Sequence, residues 1–182
     1  MAAEDDVHSW EGLKDAYVAT LAVLNDSLKA DNPDLDLRLD LVDGPLAKKL
    51  GNIFSATDLV RQVDWDWQSI YHKWVKREKF AWMFALSSSK TYGALCYGTV
   101  SIHDECVSIE YLERKLDVTS LKGLTAQIAV QYAELLAVYL RLGEVRISDP
   151  DPELIAFYER NFGLTRQSEH VEVEYLFKKV PL

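Results

Sequence analysis

The residues whose types and spacing suit chemistry gather in one stretch, from Glu110 to Gly163. A β-rich segment there carries Glu110 and Glu113. The turn Thr119-Ser120-Leu121-Lys122-Gly123-Leu124-Thr125 then opens a long apolar helix, and a shorter helix further on carries Tyr158. A glycine just before a long helix outlines an anion site. The first helical turn has backbone N–H groups without intrahelical partners, the dipole is positive there, and a missing Cβ lets phosphate oxygens approach. Arg114, Lys115 and Lys122 add positive charge beside this turn, in a chain of formal net charge −9. On the preceding strand, alternation turns Glu110 away from Ile109 and Tyr111 and gives it Ser108 and Leu112 as same-face neighbours. Partial burial at such a position raises a carboxyl pKa. Glu113, nearer the hairpin edge, is expected in solvent.

Other chemistries lack their residues. His8, His72, His103 and His170 are scattered, and no Cys-x-x-Cys occurs, so no metal site is expected. Cys96 and Cys106 sit on the two arms of a predicted hairpin. With its turn at His103-Asp104-Glu105, Cys106 falls near Ile102 and Cys96 near Leu112, too far apart for a disulfide. There is no Gly-x-Ser-x-Gly turn for a nucleophilic serine and no Gly-x-x-x-x-Gly-Lys phosphate loop.

These residues must be positioned by a folded frame, and 182 residues with 48% hydrophobic content suffice for one. Residues 1–182 are read as a single domain, with residues 9–30 as an additional N-terminal helix. No apolar run is long enough to cross a bilayer, and the start, Met1-Ala2-Ala3-Glu4-Asp5-Asp6, is acidic; a cytoplasmic protein without a membrane partner is expected. The negative charge disfavours duplex nucleic acid and suits a cationic small molecule or basic peptide.

Hydrophobic periodicity predicts a helix over Trp10–Leu28 capped by Ser9, and a strand over Leu35–Leu41. It then predicts a helix over Leu46–Arg61, interrupted at Gly51-Asn52 with Ser55 or Thr57 capping a second piece. A further helix follows over Trp65–Lys79 with Asp64 as its cap. A strand over Phe80–Leu86 leads to the hairpin Tyr92–Ile102 with Cys106–Leu112. Helix Leu121–Leu142 carries the stripe Leu124, Ile128, Tyr132, Leu135, Tyr139 and Leu142, and should pack on a sheet and stop at Gly143. Strand Val145–Ser148, a helix capped by Asp151 with Pro152 at its first position and closed by Gly163, and strand Val171–Phe177 complete the chain. One helix joining two strands favours a local parallel pair. The expected class is α/β (α+β), with a mixed, mostly antiparallel central sheet flanked by helices.

The order from Phe80 to Phe177 resembles the acyl-CoA-binding half of the GNAT N-acetyltransferases. That family carries an Arg/Gln-x-x-Gly-x-Gly/Ala loop before the long helix. Here Ser120 stands at the first position, Gly123 matches the glycine, and Thr125 replaces the last residue. The second carrier of the resemblance is Ala156-Phe157-Tyr158-Glu159-Arg160-Asn161-Phe162-Gly163, similar to the family's Phe-Tyr-Glu-Lys-x-Gly-Phe with one extra residue before the glycine.

The resemblance implies an N-acyltransferase that moves an acyl group from acetyl-CoA, or another acyl-CoA, to a primary amine on a small molecule or peptide. Tyr158 would protonate the leaving thiolate. Glu110 would accept the amine proton, as a carboxylate on the strand before the loop often does in the family. Leu112, Arg114, Lys122, Gly123, Leu124 and Thr125 would hold the acyl-CoA, with a backbone N–H near Leu112 supporting the oxyanion and hydroxyls of Ser120 and Thr125 as further donors. The aromatic cluster Trp65, Trp67, Tyr71, Trp74 and Trp82 reads first as core and second as the lining of an acceptor pocket. The departures at Ser120 and Thr125 leave a second reading open: a catalytically inactive GNAT-like domain serving as a binding or protein-interaction module. The N-terminal helix would either cover a sheet face or mediate a homodimer.

Overall fold

Ser9 starts the first helix, α1 (Trp10–Asp31), by accepting a hydrogen bond from the Gly12 N–H at 3.0 Å. Leu13, Ala16, Tyr17, Thr20, Leu24 and Leu28 recur at steps of three or four and are its buried residues. The structure, a computed structural model, describes residues 9–55, 65–77, 80–167 and 174–181. Strand β1 (Leu37–Leu41) comes next. The Asn25 amide on α1 both donates to and accepts from the Leu39 backbone, at 2.9 and 2.7 Å. That pairing covers part of an edge that would otherwise be open.

Helix α2 (Gly44–Ile53) is capped by Asp43, whose carboxylate accepts from the Leu46 N–H. It runs unbroken through Gly51 and Asn52, so the expected interruption there is incorrect. Its predicted continuation to Arg61 and the Thr57 cap lie outside the described residues. Beyond them, Asp66 caps a short α3 (Trp67–Ile70). The hydroxyl and backbone N–H of Ser69 hold the Asp66 carboxyl below its ordinary pKa. The chain then widens into one π-helical turn, Tyr71–Val75. The apolar stripe predicts a single α-helix over Trp65–Lys79; Trp65 in fact precedes the helix, and Asp64, Glu78 and Lys79 lie outside the described residues.

Strands β2 (Ala81–Ser88), β3 (Thr91–Ser101) and β4 (Cys106–Arg114) form an antiparallel meander. A 3₁₀ turn (Thr119–Leu121) and helix α4 (Leu124–Leu140) lead to β5 (Glu144–Ser148), which pairs parallel with β4. Helix α5 (Ile155–Phe162), a two-residue β6 (Thr165–Arg166) and β7 (Tyr175–Lys179) follow. Among the described residues seven strands lie in the order β1-β2-β3-β4-β5-β7-β6, with the β4–β5 pair as the parallel one. This is the expected mixed, mostly antiparallel sheet.

β2 is buried throughout because both of its faces are covered. Trp82, Phe84 and Leu86 point into the core under α1 and α4, whereas Ala81, Met83 and Ala85 point into a second core with Ala47, Leu50, Phe54 and Trp67 of α2 and α3. α4 packs against α1, β4 and β5. That double contact rotates its buried stripe toward Ala129, Ala133, Leu136, Ala137 and Leu140 and leaves Tyr139, expected in the stripe, 48% exposed. The helix ends on Arg141 at φ 54° rather than on Gly143. Asp151 caps a turn instead of a helix: its carboxylate accepts from the Glu153 N–H and its carbonyl from the Leu154 N–H. α5 proper begins at Ile155 and closes, as expected, on Gly163 at φ 66°. The last strand reaches Lys179, and residues 171–173 of its predicted span lie outside the described residues.

Candidate functional site

The site originates in a fault in the sheet. β4 pairs with β5 only over Cys106–Ile109 against Glu144–Ile147. In the β3–β4 ladder Gly98 faces Ile109 and Tyr97 faces Tyr111, which leaves Glu110 as the extra residue of a bulge. A bulge bends its strand and redirects a side chain. Opposite it, Gly98 is required: a Cβ there would lie 2.1 Å from the Trp82 ring and 2.3 Å from the Ser108 carbonyl. Past Ile109, β4 continues beside β3 to Arg114, whereas β5 stops at Ser148 and turns into Asp149-Pro150-Asp151. Between the parted strands lies a cleft of about 610 Å³ whose lining includes Trp65, Glu110, Leu112, Val130, Asp151 and Tyr158.

Tyr158 projects from α5 with only 7% of its surface exposed. Burial pushes the pKa of its phenol up to about 12, and the nearby Cys96 thiol and Asp151 carboxylate act in the same direction. The group is therefore protonated at neutral pH. Its ring packs on Phe157 and Phe162 at centroid distances of 5.5 and 6.1 Å, and its hydroxyl makes no hydrogen bond among the described residues. A phenol so placed is a proton donor facing a cleft.

Glu110 is half-buried, and the Thr99 hydroxyl donates to its Oε1 at 2.9 Å. Thr99 lies on the sheet face that carries Tyr97, so the carboxylate stands where that face meets the cleft. Glu113 contradicts the solvent-exposed expectation. It is 3% exposed and accepts a hydrogen bond from the Trp67 indole N–H across the second core. The bulge sets which face it takes: one added residue moves Glu113 from the face of Val107 and Ile109 to that of Leu95 and Tyr97, where α2 and α3 cover it.

At the start of α4, Gly123 adopts φ 83° and is exposed. No atom lies within 4 Å of where its Cβ would stand, and no side chain caps the helix. This is an accessible set of N–H donors at a positive helix end. Gly123 lines a second cavity of about 640 Å³ between α4 and α5, and Val130 is common to that cavity and the cleft. Thr125 is buried, and its hydroxyl donates to the Leu121 carbonyl at 3.2 Å. It is thus not a free phosphate donor, contrary to the expectation for its hydroxyl, while its branched carbon lies in the interior and does not crowd the helix start. Of the other predicted acyl-CoA contacts, Leu112 lines the cleft. Arg114 and Lys122 line neither cavity: the Arg114 guanidinium donates to the Lys115 carbonyl, and Lys122 is exposed. Leu124 is half-buried against the core under α1 and α4.

The predicted aromatic cluster divides. Trp67 and Trp82 are core residues on opposite sheet faces. Trp65 lines the cleft with its ring 4.8 Å from Tyr111. Trp74, carried by the π-helical turn, lines a separate pocket beside Glu110. Tyr97 and Tyr111, which alternation marked only as strand residues, line that pocket too. Both cysteines are free and buried, and Cys96 faces Leu112 in the hairpin as expected, with Cys106 opposite Ser101. Among the described residues no His/Cys/Asp/Glu group is arranged to hold a metal, and no described helix is long and apolar enough to cross a membrane.

Solved structures with this arrangement of strands and helices include several N-acetyltransferases. A variant of the spermidine N-acetyltransferase of Vibrio cholerae superposes with a TM-score of 0.56 at 10% identity, covering 79% of this chain and 94% of that one. The ribosomal-protein-S18-alanine N-acetyltransferase of Escherichia coli gives 0.56 at 10% identity, covering 80% and 93%. A probable GNAT-family acetyltransferase of Chromobacterium violaceum gives 0.57 at 10% identity, covering 79% and 87%. The chain has the GNAT fold. No protein-family model matches its sequence, and no curated protein does. In this GNAT fold the parted β4 and β5, the glycine-led α4 and the tyrosine of α5 belong to one continuous region.

Proposed function

We propose that the protein is an acyl-CoA-dependent N-acyltransferase acting on a primary amine. The observation that carries this reading is Tyr158. It is a buried, protonated phenol without a hydrogen-bond partner among the described residues, and it lines the cleft where β4 and β5 part. The fit of acyl-CoA is supported by the uncapped start of α4 at Gly123, where no side chain obstructs the backbone donors. Gly123, Leu124 and Thr125 offer backbone N–H groups to the pyrophosphate. Leu112 lies along the acyl arm, and Arg114 and Lys122 contribute charge from nearby.

The bound thioester supplies an activated acyl carbon, and the chain's own residues manage the protons around it. As the amine nitrogen bonds to the carbonyl carbon, the carbon–sulfur bond breaks and its electron pair leaves on sulfur. Tyr158 gives its proton to that thiolate, and Glu110 takes the proton that the nitrogen loses, directly or through water. The phenoxide is re-protonated as Glu110 releases its proton, so the enzyme ends unchanged. Electrostatic support for the oxyanion comes from a backbone N–H near Leu112.

A second reading, a domain that binds without catalysing, is favoured by the engaged Thr125 hydroxyl and the single glycine of the loop. Thiol release from acetyl-CoA, followed with a thiol reagent across a panel of primary amines, separates the two. Amine-dependent release above the uncatalysed rate supports the enzyme, and release at the uncatalysed rate with every amine rejects it.

A further inference from the structure

Two backbone irregularities, far apart in sequence, converge on one pocket of about 420 Å³ on the α2/α3 face of the sheet. The β4 bulge turns Glu110 toward it. The π-helical turn Tyr71–Val75 carries Trp74 to its rim, where the indole is 47% exposed. Such departures from regular geometry cost stability and concentrate where a side chain must be aimed. Phe80, Tyr97, Thr99 and Tyr111 also stand in its lining. The rings of Tyr97 and Tyr111 lie 5.7 Å apart at 22°, a near-parallel platform, and Trp65 braces Tyr111 from the cleft side at 4.8 Å. Glu110 lines both this pocket and the β4/β5 cleft, so a group on its carboxylate stands at the passage between them.

The chemistry of this lining is selective. Four aromatic residues stand in it, with Trp74 at the rim and Tyr97 buried behind Tyr111, and aromatic surface of this kind attracts an organic cation or stacks on a flat apolar body. Among the described residues the lining has one carboxylate, Glu110: Oε1 is held by Thr99, and Oε2 makes no hydrogen bond among the described residues. Among the described residues no Lys, Arg or His lines it. Among the described lining residues, an acceptor bearing its own carboxylate finds no counter-ion, and the further ammonium groups of a polyamine find no carboxylate besides Glu110. The volume is that of a small-ligand site, too small for a folded polypeptide.

We infer that this aromatic box is the amine-acceptor site and that it selects primary monoamines with a compact, flat apolar body, the ammonium on Glu110 and the body among Trp74, Tyr97 and Tyr111. The selectivity rests on the acyltransferase reading, whereas occupancy of the box does not require it. The amine enters from the face opposite α1 and α4. Its ammonium passes one proton through the Glu110 carboxylate to water, which frees the lone pair. The nitrogen then meets the acyl group beside Glu110, which takes the second proton.

Two measurements test this separately. The first is calorimetric binding to the full chain without any acyl donor, using phenethylamine, spermidine and phenylalanine as probes. Saturable phenethylamine binding is expected, at least tenfold tighter than either other probe. Trp74→Ala, at an exposed position that tolerates truncation, should weaken it about tenfold while leaving the circular dichroism spectrum unchanged. Equal or tighter binding of spermidine or phenylalanine overturns the inference, as does full phenethylamine affinity in Trp74→Ala. The second is thiol release with the same amines. Trp74→Ala should raise KM for phenethylamine about tenfold with KM for acetyl-CoA within twofold of the parent. If phenethylamine binds and no amine supports thiol release, the acyltransferase reading fails and the box stands as a cation-binding site. If spermidine or phenylalanine is turned over more efficiently than phenethylamine, the acyltransferase reading stands and the inference falls.

Discussion

Replacing Tyr158 with Phe removes one hydroxyl and leaves the rest of the site in place, and the structure fixes what this should do. The ring is held by Phe157 and Phe162, so its position should not change. The hydroxyl has no hydrogen-bond partner among the described residues, and deleting a buried polar group of that kind is neutral or stabilising by up to about 1 kcal/mol. Turnover behaves differently. Without a proton donor for the thiolate, kcat should fall by about a hundredfold or more, with KM for acetyl-CoA nearly unchanged. The same substitution has an alkaline signature. With the folded pKa raised to about 12 from an ordinary value near 10, the stability associated with the protonated phenol is fully present below pH ~10 and is lost as pH rises through 12. At pH 11 that loss amounts to about 1.4 kcal/mol, one unit on the logarithmic scale, and Tyr158→Phe should not show it. Tyr17 and Tyr132, also raised by burial, contribute an alkaline loss common to parent and variant and cancel in the difference. Thiol-release kinetics at pH 8 and urea unfolding at pH 8 and 11 measure both effects. Turnover within twofold of the parent would refute the role of Tyr158 even if the unfolding result agreed.

Gly98→Ala should destabilise the chain by about 3 kcal/mol in urea unfolding, because the new methyl overlaps the Trp82 ring and the Ser108 carbonyl, one of which is backbone. Gly123→Ala places a Cβ at φ 83°, where it meets no protein atom. It should cost only about 1–2 kcal/mol of stability, yet weaken acetyl-CoA binding about tenfold, as read by calorimetry. Glu113→Ala strands the buried Trp67 indole N–H and should cost about 1–3 kcal/mol in the same unfolding assay, a loss that an exposed hairpin carboxylate would not produce.

Much of the frame was legible because it depends on local signals. The apolar stripe of α1, the strict alternation of β1 and the glycine that ends α5 each follow from one segment read alone. The hairpin itself was legible, but its register was not: Cys106 faces Ser101 and not Ile102, and the expected Cys96–Leu112 pair is reached only through the residue that the bulge adds. The α4 crossover implied the single parallel pair. What was not legible depends on partners distant in the chain. The bulge at Glu110 lies opposite Gly98, where Trp82 from β2 packs against the backbone, and nothing in the local alternation of β4 reveals an extra residue. The placement of Glu113 on the α2/α3 face follows from that bulge. The rotation of the α4 stripe away from Tyr139 reflects the packing of α1 on one flank, and propensity cannot foresee it. The π-helical turn that carries Trp74 has no residue signature comparable to a cap. The candidate site was therefore half visible: Tyr158, Glu110 and, as a second reading, Trp74 stood out in the sequence, whereas Tyr97 and Tyr111 joined that lining only in the fold.

Calorimetric titration of the purified chain with acetyl-CoA asks most directly whether the start of α4 and the β4/β5 cleft hold acyl-CoA. Saturable binding at one site per chain is expected, weakened about tenfold by Gly123→Ala and unchanged in Tyr158→Phe. No binding up to millimolar acetyl-CoA, or binding indifferent to Gly123→Ala, would contradict it.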